Sequence, residues 1–261
     1  MENVLLCGNC LDLLRQVPSG SVDLVFFSPP YWDIHKYGNA PGEIGHGQTL
    51  DAYIHDLVAV ASEGRRVLKP TGNYVVNVMD VVRKNSPVPI SDLLVAKTEG
   101  LRYVERIVWS IRNKMPVASG RRLVNKFEWV LHWGASDDYY ADIDSIREPH
   151  SHYADKDKRK WKWNTKGKNP GNIWDIPAYR VAGKNKFHVA GFPEELCRRV
   201  ILCWSPKGGL VLDPFSGSGT TCLAAKKLGR RYIGFEKEPG HHAVAEKRVY
   251  PDLPPVQAPL L

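Results

Sequence analysis

The sequence predicts an α/β fold built on a mainly parallel sheet, and three observations carry that expectation. Short apolar runs that read as strands alternate with segments of helical spacing, the pattern that crossover helices between parallel strands produce. Leu210 to Thr221 reads as strand, glycine turn and helix start. A second apolar run, Val22 to Phe27, stops at Ser28-Pro29-Pro30, where an open α/β sheet would present its strand ends to a ligand.

Taken in order, Val4 to Cys7 reads as a short buried strand, Leu11 to Val17 as a helix and Val22 to Phe27 as a second strand. Asp51 to Leu68 places Ile54, Leu57, Val58, Val67 and Leu68 at helical spacing and runs into Lys69-Pro70-Thr71-Gly72, a stop signal. Tyr74 to Met79 is then a strand, Ile90 to Glu99 a helix ahead of Gly100, and Tyr103 to Ile111 and Phe127 to Trp133 two extended runs. From about Gly134 to Phe187 the periodicity gives way to charge, Trp, Asn, Gly and Pro, and this stretch is read as an insertion. Regular spacing returns in Pro193 to Trp204, where Leu196, Val200, Ile201 and Trp204 share a helical face. Leu210 to Leu212 is a strand, Thr220 to Leu228 a helix closed by Gly229, Tyr232 to Phe235 a strand, and His242 to Val249 a last helix. The proline-rich end after Tyr250 is expected to be poorly ordered.

Composition narrows the class. With 43% apolar and 25% charged residues the chain can bury a full core without disulfides or metals. No apolar run approaches the roughly eighteen residues of a membrane span. Met1-Glu2-Asn3 opens no secretory leader, and the five cysteines form no disulfide framework, so free thiols and a cytoplasmic location are expected. Lysine and arginine number 36 against 28 acids, which points to a polyanionic partner. The excess sits in one place: Lys156 to Phe187 holds ten basic residues against Asp157 and Asp175. There Lys158, Arg159, Lys160, Trp161, Lys162, Trp163, Lys166 and Lys168 interleave cations with aromatics, which suits phosphate contact and base stacking. A solvated loop is the plain alternative.

Two motifs carry chemistry. In Asp213-Pro214-Phe215-Ser216-Gly217-Ser218-Gly219-Thr220-Thr221 the glycines allow close backbone approach and the helix start offers unpaired N–H groups. A phosphate-binding P-loop would need Lys where Thr220 stands. Glu236, at the end of the next strand, suits the ribose hydroxyls of a nucleoside cofactor. In Ser28-Pro29-Pro30-Tyr31 the prolines stiffen the bend and free carbonyls, so fixed acceptors stand beside a ring that can stack on a planar base. A proline-rich strand terminator is the bland reading of that motif.

With both motifs in view the chain resembles the amino-methylating DNA methyltransferases, specifically the β group, in which the catalytic motif precedes the cofactor motif. The resemblance extends through Gly8-Asn9-Cys10-Leu11-Asp12, Val67 to Gly72, Phe127-Glu128-Trp129-Val130-Leu131 and His188 to Pro193, over roughly 200 residues. Asn9 stands where the family commonly has Asp, and Val189 where it has Pro. The resemblance implies a Rossmann-like S-adenosylmethionine-dependent sheet with circularly permuted motif order and an inserted target-recognition region. The segments would be 1–133, the catalytic half; 134–187, the basic target-recognition insertion; 188–250, the cofactor half; and 251–261, a tail.

It further implies S-adenosyl-L-methionine as cofactor, held by Asn9, Cys10, His188, Phe192, Asp213, Phe215, Ser216, Gly217, Ser218, Gly219, Thr220, Thr221 and Glu236. Ser28, Pro29, Pro30 and Tyr31 would act on a base flipped from double-stranded DNA, with direct in-line transfer. No cysteine follows a proline, the setting that 5-methylcytosine chemistry uses. Ser at the head of the tetrapeptide favours the N4 of cytosine over the N6 of adenine within the family. The expected partners are duplex DNA and a cognate restriction endonuclease, with no membrane, a nucleoid-associated location, and a monomeric or homodimeric state. The rivals are N6-adenine methylation, methylation of RNA or of a protein amide, and a DNA-binding protein that keeps only the fold.

Weaker signals remain. Cys7-Gly8-Asn9-Cys10 lacks the second pair a zinc site needs, so no metal is expected. Asp33 to Gln48, rich in glycine, reads as a lid or a simple loop. Lys114, Arg121 and Arg122, between two expected strands, could touch phosphates.

Overall fold

The computed structural model describes residues 1–32, 34, 42–113, 121, 123–150, 164–178 and 193–251. In chain order these hold β1 (Val4–Cys7), α1 (Cys10–Leu14), β2 (Val22–Phe27), α2 (Leu50–Val67), β3 (Leu68–Val78), β4 (Val81–Arg83) and β5 (Ser86–Val88). There follow α3 (Ile90–Lys97), β6 (Arg102–Ser110), β7 (Phe127–Gly134), a 3-10 turn (Ile143–Ile146) and β8 (Ile173–Asp175). The chain then forms α4 (Glu194–Trp204), β9 (Leu210–Asp213), α5 (Thr220–Lys227), β10 (Arg231–Glu236) and α6 (Pro239–Val249). The proline-rich tail lies outside the described residues from position 252 onward.

Eight strands make one sheet in the order β1-β10-β9-β2-β3-β7-β6-β8. β1, β10, β9, β2 and β3 run parallel to one another, β7 is antiparallel to both β3 and β6, and β8 is parallel to β6. The mainly parallel sheet is as the sequence predicts. β2 is buried along its whole length, which is why it reads as a continuous apolar run: helices cover both of its faces. Its one charge, Asp23, is tolerated because Lys69 Nζ donates to both carboxylate oxygens at 2.8 Å and Leu210 N donates to Oδ2 at 2.7 Å. One carboxylate thus ties β2 to the starts of β3 and β9.

That bond also explains a departure from the sequence reading. Lys69-Pro70-Thr71-Gly72 does not separate helix from strand; β3 begins at Leu68, directly after α2. Val22 pairs with Leu68 and Leu24 with Asn73, so residues 69–72 bulge out of the ladder while Lys69 reaches back to Asp23. Two helices also shift: α1 is confined to Cys10–Leu14, and α6 starts three residues early, at Pro239, which suits a first helical turn.

The two sheet faces build two cores. Val25, Phe27, Tyr74 and Trp133 pack with Tyr53, Ile54 and Leu57 of α2 on one side. Leu24, Phe26 and Val75 pack with Leu196, Val200, Ile201 and Trp204 of α4 on the other, the face that the sequence assigned to that helix. The stretch read as lacking periodic structure contributes here. Ile146, Trp174 and Ile176 are buried in the second core, and the rings of Trp174 and Trp204 stack with centroids 6.0 Å apart. Among the described residues no helix is long and apolar enough to cross a membrane.

Candidate functional site

Parallel β1, β10, β9 and β2 all end at the same edge of the sheet, and the loops that leave them enclose one cleft. Gly8, Asn9 and Cys10 follow β1; Ser28, Pro29, Pro30 and Tyr31 follow β2; Pro214, Phe215 and Gly217 follow β9; Glu236, Lys237, Glu238 and His241 follow β10. Gly42, Glu43 and Ile44 close the remaining side. The two chemistry-bearing motifs, far apart in sequence, therefore share a single cavity. The Phe27 and Phe215 rings, 5.3 Å apart, pack one motif against the other.

The glycine turn is held from three directions. Phe215 N donates to Asp213 Oδ1 at 2.9 Å and Gly219 N to Ser216 O at 2.7 Å, which closes the turn. Gly217 and Gly219 take φ of +51° and +78°, and a Cβ on Gly219 would stand 3.1 Å from Ala245 and Val249 of α6. Glu236 accepts from Gly217 N (2.9 Å, Oε2) and from Glu238 N (2.8 Å, Oε1), so this carboxylate is fixed at the mouth of the turn. From behind, Arg248 donates to Ser218 O at 2.7 Å, Ser218 Oγ at 2.6 Å and Thr220 Oγ1 at 3.2 Å. Burial pushes the Asp213 carboxyl up to about 7, with the Glu236 charge adding in the same direction.

The tetrapeptide is equally constrained. Tyr53 of α2 donates its hydroxyl to Pro30 O at 2.8 Å, and Tyr31 donates its own to Glu128 Oε2 at 3.0 Å. Trp32 Nε1 donates to Gln48 O at 2.9 Å, while the Gln48 side chain accepts from Gly45 N at 2.7 Å and donates to Asp56 at 2.6 Å. Asn9 caps α1 by accepting from Leu11 N at 2.9 Å. The Cys10 thiol is pushed up to about 12 by burial, and the exposed Cys7 thiol is also raised, by partial burial and then by Glu236.

Of the residues singled out in the sequence, Ser28, Pro29, Pro30, Tyr31, Asn9, Cys10, Phe215, Gly217 and Glu236 line the cleft. Asp213, Ser216, Ser218, Gly219, Thr220 and Thr221 shape the turn behind it, and the Ser216 hydroxyl is buried without a hydrogen-bond partner among the described residues. His188, Phe192, Lys114, Arg122, Lys158, Arg159, Lys160, Trp161, Lys162 and Trp163 lie outside the described residues. Arg121 is exposed. Lys166 and Lys168 are drawn into ion pairs with Asp144 (2.8 Å) and Glu148 (3.3 Å), away from the cleft. Sequence reasoning assigned no site role to Glu128, Tyr53 or Arg248. Glu128 carries the one available signal, a carboxylate inside an aromatic, β-branched run.

The fold and the sequence have counterparts among known proteins. The N6/N4 DNA methylase family model matches residues 22–247. The Type II methyltransferase M.ScaI of Streptomyces caespitosus is 34% identical over 89% of this chain and 76% of its own length. The DNA adenine methyltransferase YhdJ of Escherichia coli K12 is also 34% identical, over 89% of this chain and 77% of its own. Among solved structures, TTHA0409 of Thermus thermophilus in complex with S-adenosyl-L-methionine has a TM-score of 0.65 at 28% identity, covering 96% of this chain and 95% of that one. The cytosine-N4-specific PvuII DNA methyltransferase shares the fold, with a TM-score of 0.75 at 22% identity over 99% of this chain and 89% of its own. A strand-end cleft that unites Ser28-Pro29-Pro30-Tyr31 with the glycine turn, in a chain matched from residue 22 to residue 247, makes this protein a member of the N6/N4 family of DNA methylases.

Proposed function

We propose that this DNA methyltransferase is site-specific and transfers a methyl group from S-adenosyl-L-methionine to the exocyclic N4 of cytosine in duplex DNA, by base flipping and direct in-line transfer. The observation that carries the choice of base is Ser28: a short, neutral acceptor heads the tetrapeptide at the cleft wall. The family's Ser variants favour cytosine, and a pyrimidine also needs less room than a purine.

The residues present fit the cofactor. One wall is a glycine turn, the far strand ends in Glu236, and Gly8, Asn9 and Cys10 line the adjoining side. Glu236 would take the ribose hydroxyls, Phe215 and Gly217 the amino-acid portion, and the loop after β1 the adenine. When bound, S-adenosyl-L-methionine supplies a methyl group activated by its sulfonium centre. The chain's residues do the rest by positioning. Ser28 Oγ and the Pro29 carbonyl accept the amino hydrogens of the base, which raises lone-pair availability on nitrogen and fixes its direction. Tyr31 stacks on the flipped ring, offsetting with about 1–3 kcal/mol an unstacking cost of a few kcal/mol. Orientation of this kind lowers a barrier by roughly 7–11 kcal/mol.

Residues 134–187 are assigned to target recognition on their charge and aromatics, and the tail to residues 251–261. The Type II name of M.ScaI supports pairing with a cognate restriction endonuclease. Methylation of adenine N6 is the second reading, favoured by the identity to YhdJ. Purified protein incubated with labelled S-adenosyl-L-methionine and unmethylated genomic duplex DNA, followed by digestion and mass spectrometry of the nucleosides, separates the two. N4-methylcytosine is expected. N6-methyladenine overturns the choice of base, and label in RNA or protein alone overturns the DNA substrate.

A further inference from the structure

The β4–β5 hairpin takes no part in the cleft and enters the core only at its foot. Val81 is fully buried, Val88 packs on the α2 side of the sheet, and Ser91 N donates to Asp80 Oδ1 at 2.9 Å, so the foot is fixed. Residues 82–87 are all exposed. Lys84 and Asn85 turn the chain with φ of 47° and 66°, and two successive positive values mark a type I′ turn, whose twist matches its strands. The tip is therefore a shaped projection. It carries Arg83 and Lys84 and no acid between Val81 and Val88.

Its position relates it to the chemistry. β3 feeds the hairpin and β2 feeds the tetrapeptide; they are parallel neighbours and leave the sheet at the same edge. The Arg83 guanidinium lies over the Trp32 ring, 5.2 Å from its centroid, and Trp32 directly follows Tyr31. A nucleotide flipped onto Tyr31 stays tethered by a phosphate on each side, and these arrive at the mouth beside Trp32. Cations held there position the strand without reading its sequence.

We infer that the β4–β5 hairpin is a backbone clamp for the strand being methylated, with Arg83 and Lys84 on the phosphates that flank the flipped nucleotide. The clamp rests on the DNA reading above. Its recognition is sequence-independent, unlike that assigned to residues 134–187, and the Arg83–Trp32 contact joins it to the loop that carries Tyr31.

The test is the salt dependence of DNA binding, measured by fluorescence anisotropy on a labelled duplex across a sodium chloride series. Each phosphate contact contributes about 0.9 to the slope of log K against log salt. Lys84→Ala is expected to lower the slope by about that amount, and Arg83→Ala with Lys84→Ala by about twice it, equally on unrelated duplex sequences. Lys84→Arg restores the slope. Thermal midpoint and S-adenosyl-L-methionine affinity stay at wild-type values in Lys84→Ala, because Lys84 is exposed and does not line the cleft. A wild-type slope in both alanine variants overturns the clamp while leaving the DNA reading intact. No salt-dependent duplex binding by the wild-type chain overturns the DNA reading and the clamp together.

Discussion

Tyr31 and Glu128 are joined by a buried hydrogen bond, hydroxyl to Oε2 at 3.0 Å, that spans from the loop after β2 to β7 with β3 between them. The backbone of the same loop is held by Tyr53, whose hydroxyl donates to Pro30 O at 2.8 Å. The ring is thus anchored at its tip and at its root. For the stacking role proposed above, a ring fixed before the base arrives loses little conformational entropy on binding.

Tyr31→Phe keeps the ring and removes the bond to Glu128. Stability is expected to fall by about 1 kcal/mol, with methyl transfer retained to within roughly tenfold. Tyr31→Ala removes the stacking surface as well, worth about 1–3 kcal/mol per base, so kcat/KM for DNA falls by one to two orders of magnitude. Thermal unfolding and single-turnover methylation check both. Equal activity in the two variants would show that the ring does not meet the base.

Glu236 holds the glycine turn and faces the cleft at once. Glu236→Ala leaves Gly217 N and Glu238 N without their acceptor, and charge-assisted bonds of this kind contribute about 1.5–3 kcal/mol. S-adenosyl-L-methionine affinity is expected to drop roughly 10- to 100-fold in calorimetry, with Glu236→Gln intermediate. Wild-type affinity in Glu236→Ala would remove the acid from the cofactor site.

Burial keeps the Asp213 carboxyl protonated in the folded chain up to about pH 7, against an ordinary value of 3.8. Across that window the folded state binds more protons than the unfolded state, so this group's contribution to stability falls as pH rises, and the loss is complete above about 7. Urea unfolding between pH 4 and pH 8 should show the wild type losing stability relative to Asp213→Asn, by an amount of order a few kcal/mol. Parallel curves for the two proteins would place the carboxyl at an ordinary value.

A side chain at Gly219 is strained by both backbone and neighbours. Its φ of +78° is strained for any L-residue, and a Cβ would stand 3.1 Å from both Ala245 and Val249. Gly219→Ala should destabilise by about 1 kcal/mol through the positive φ and weaken cofactor binding, since the methyl crowds Ala245 and Val249 of α6 beside the turn that Arg248 pins. Gly208→Ala, also at positive φ (+74°) but with open space around its Cβ, isolates the backbone part of the effect.

The two motifs were legible because each is local: one is a strand, a glycine turn and a helix start, the other a strand that stops at two prolines, and each lies within about a dozen residues. β2 and β9 announced themselves through burial on both faces. Long-range partners left no such trace. Tyr31 and Glu128 are 97 residues apart, Tyr53 and Pro30 are 23, and Arg248 and Ser218 are 30. β8 escaped because three residues with Trp174 alone buried carry no period. The β4–β5 hairpin escaped because Lys84-Asn85 lacks the glycine that usually marks a tight turn. Lys166 and Lys168 counted toward the basic run, yet each is paired with a carboxylate, a distinction that a charge count cannot draw.

The most direct measurement is the nucleoside composition of DNA from a methylation-free bacterial host that expresses this chain, since a whole genome presents every short recognition sequence. N4-methylcytosine is expected with the wild type and none with Ser28→Ala. N6-methyladenine in place of N4-methylcytosine, or N4-methylcytosine undiminished in Ser28→Ala, would contradict the role given to Ser28.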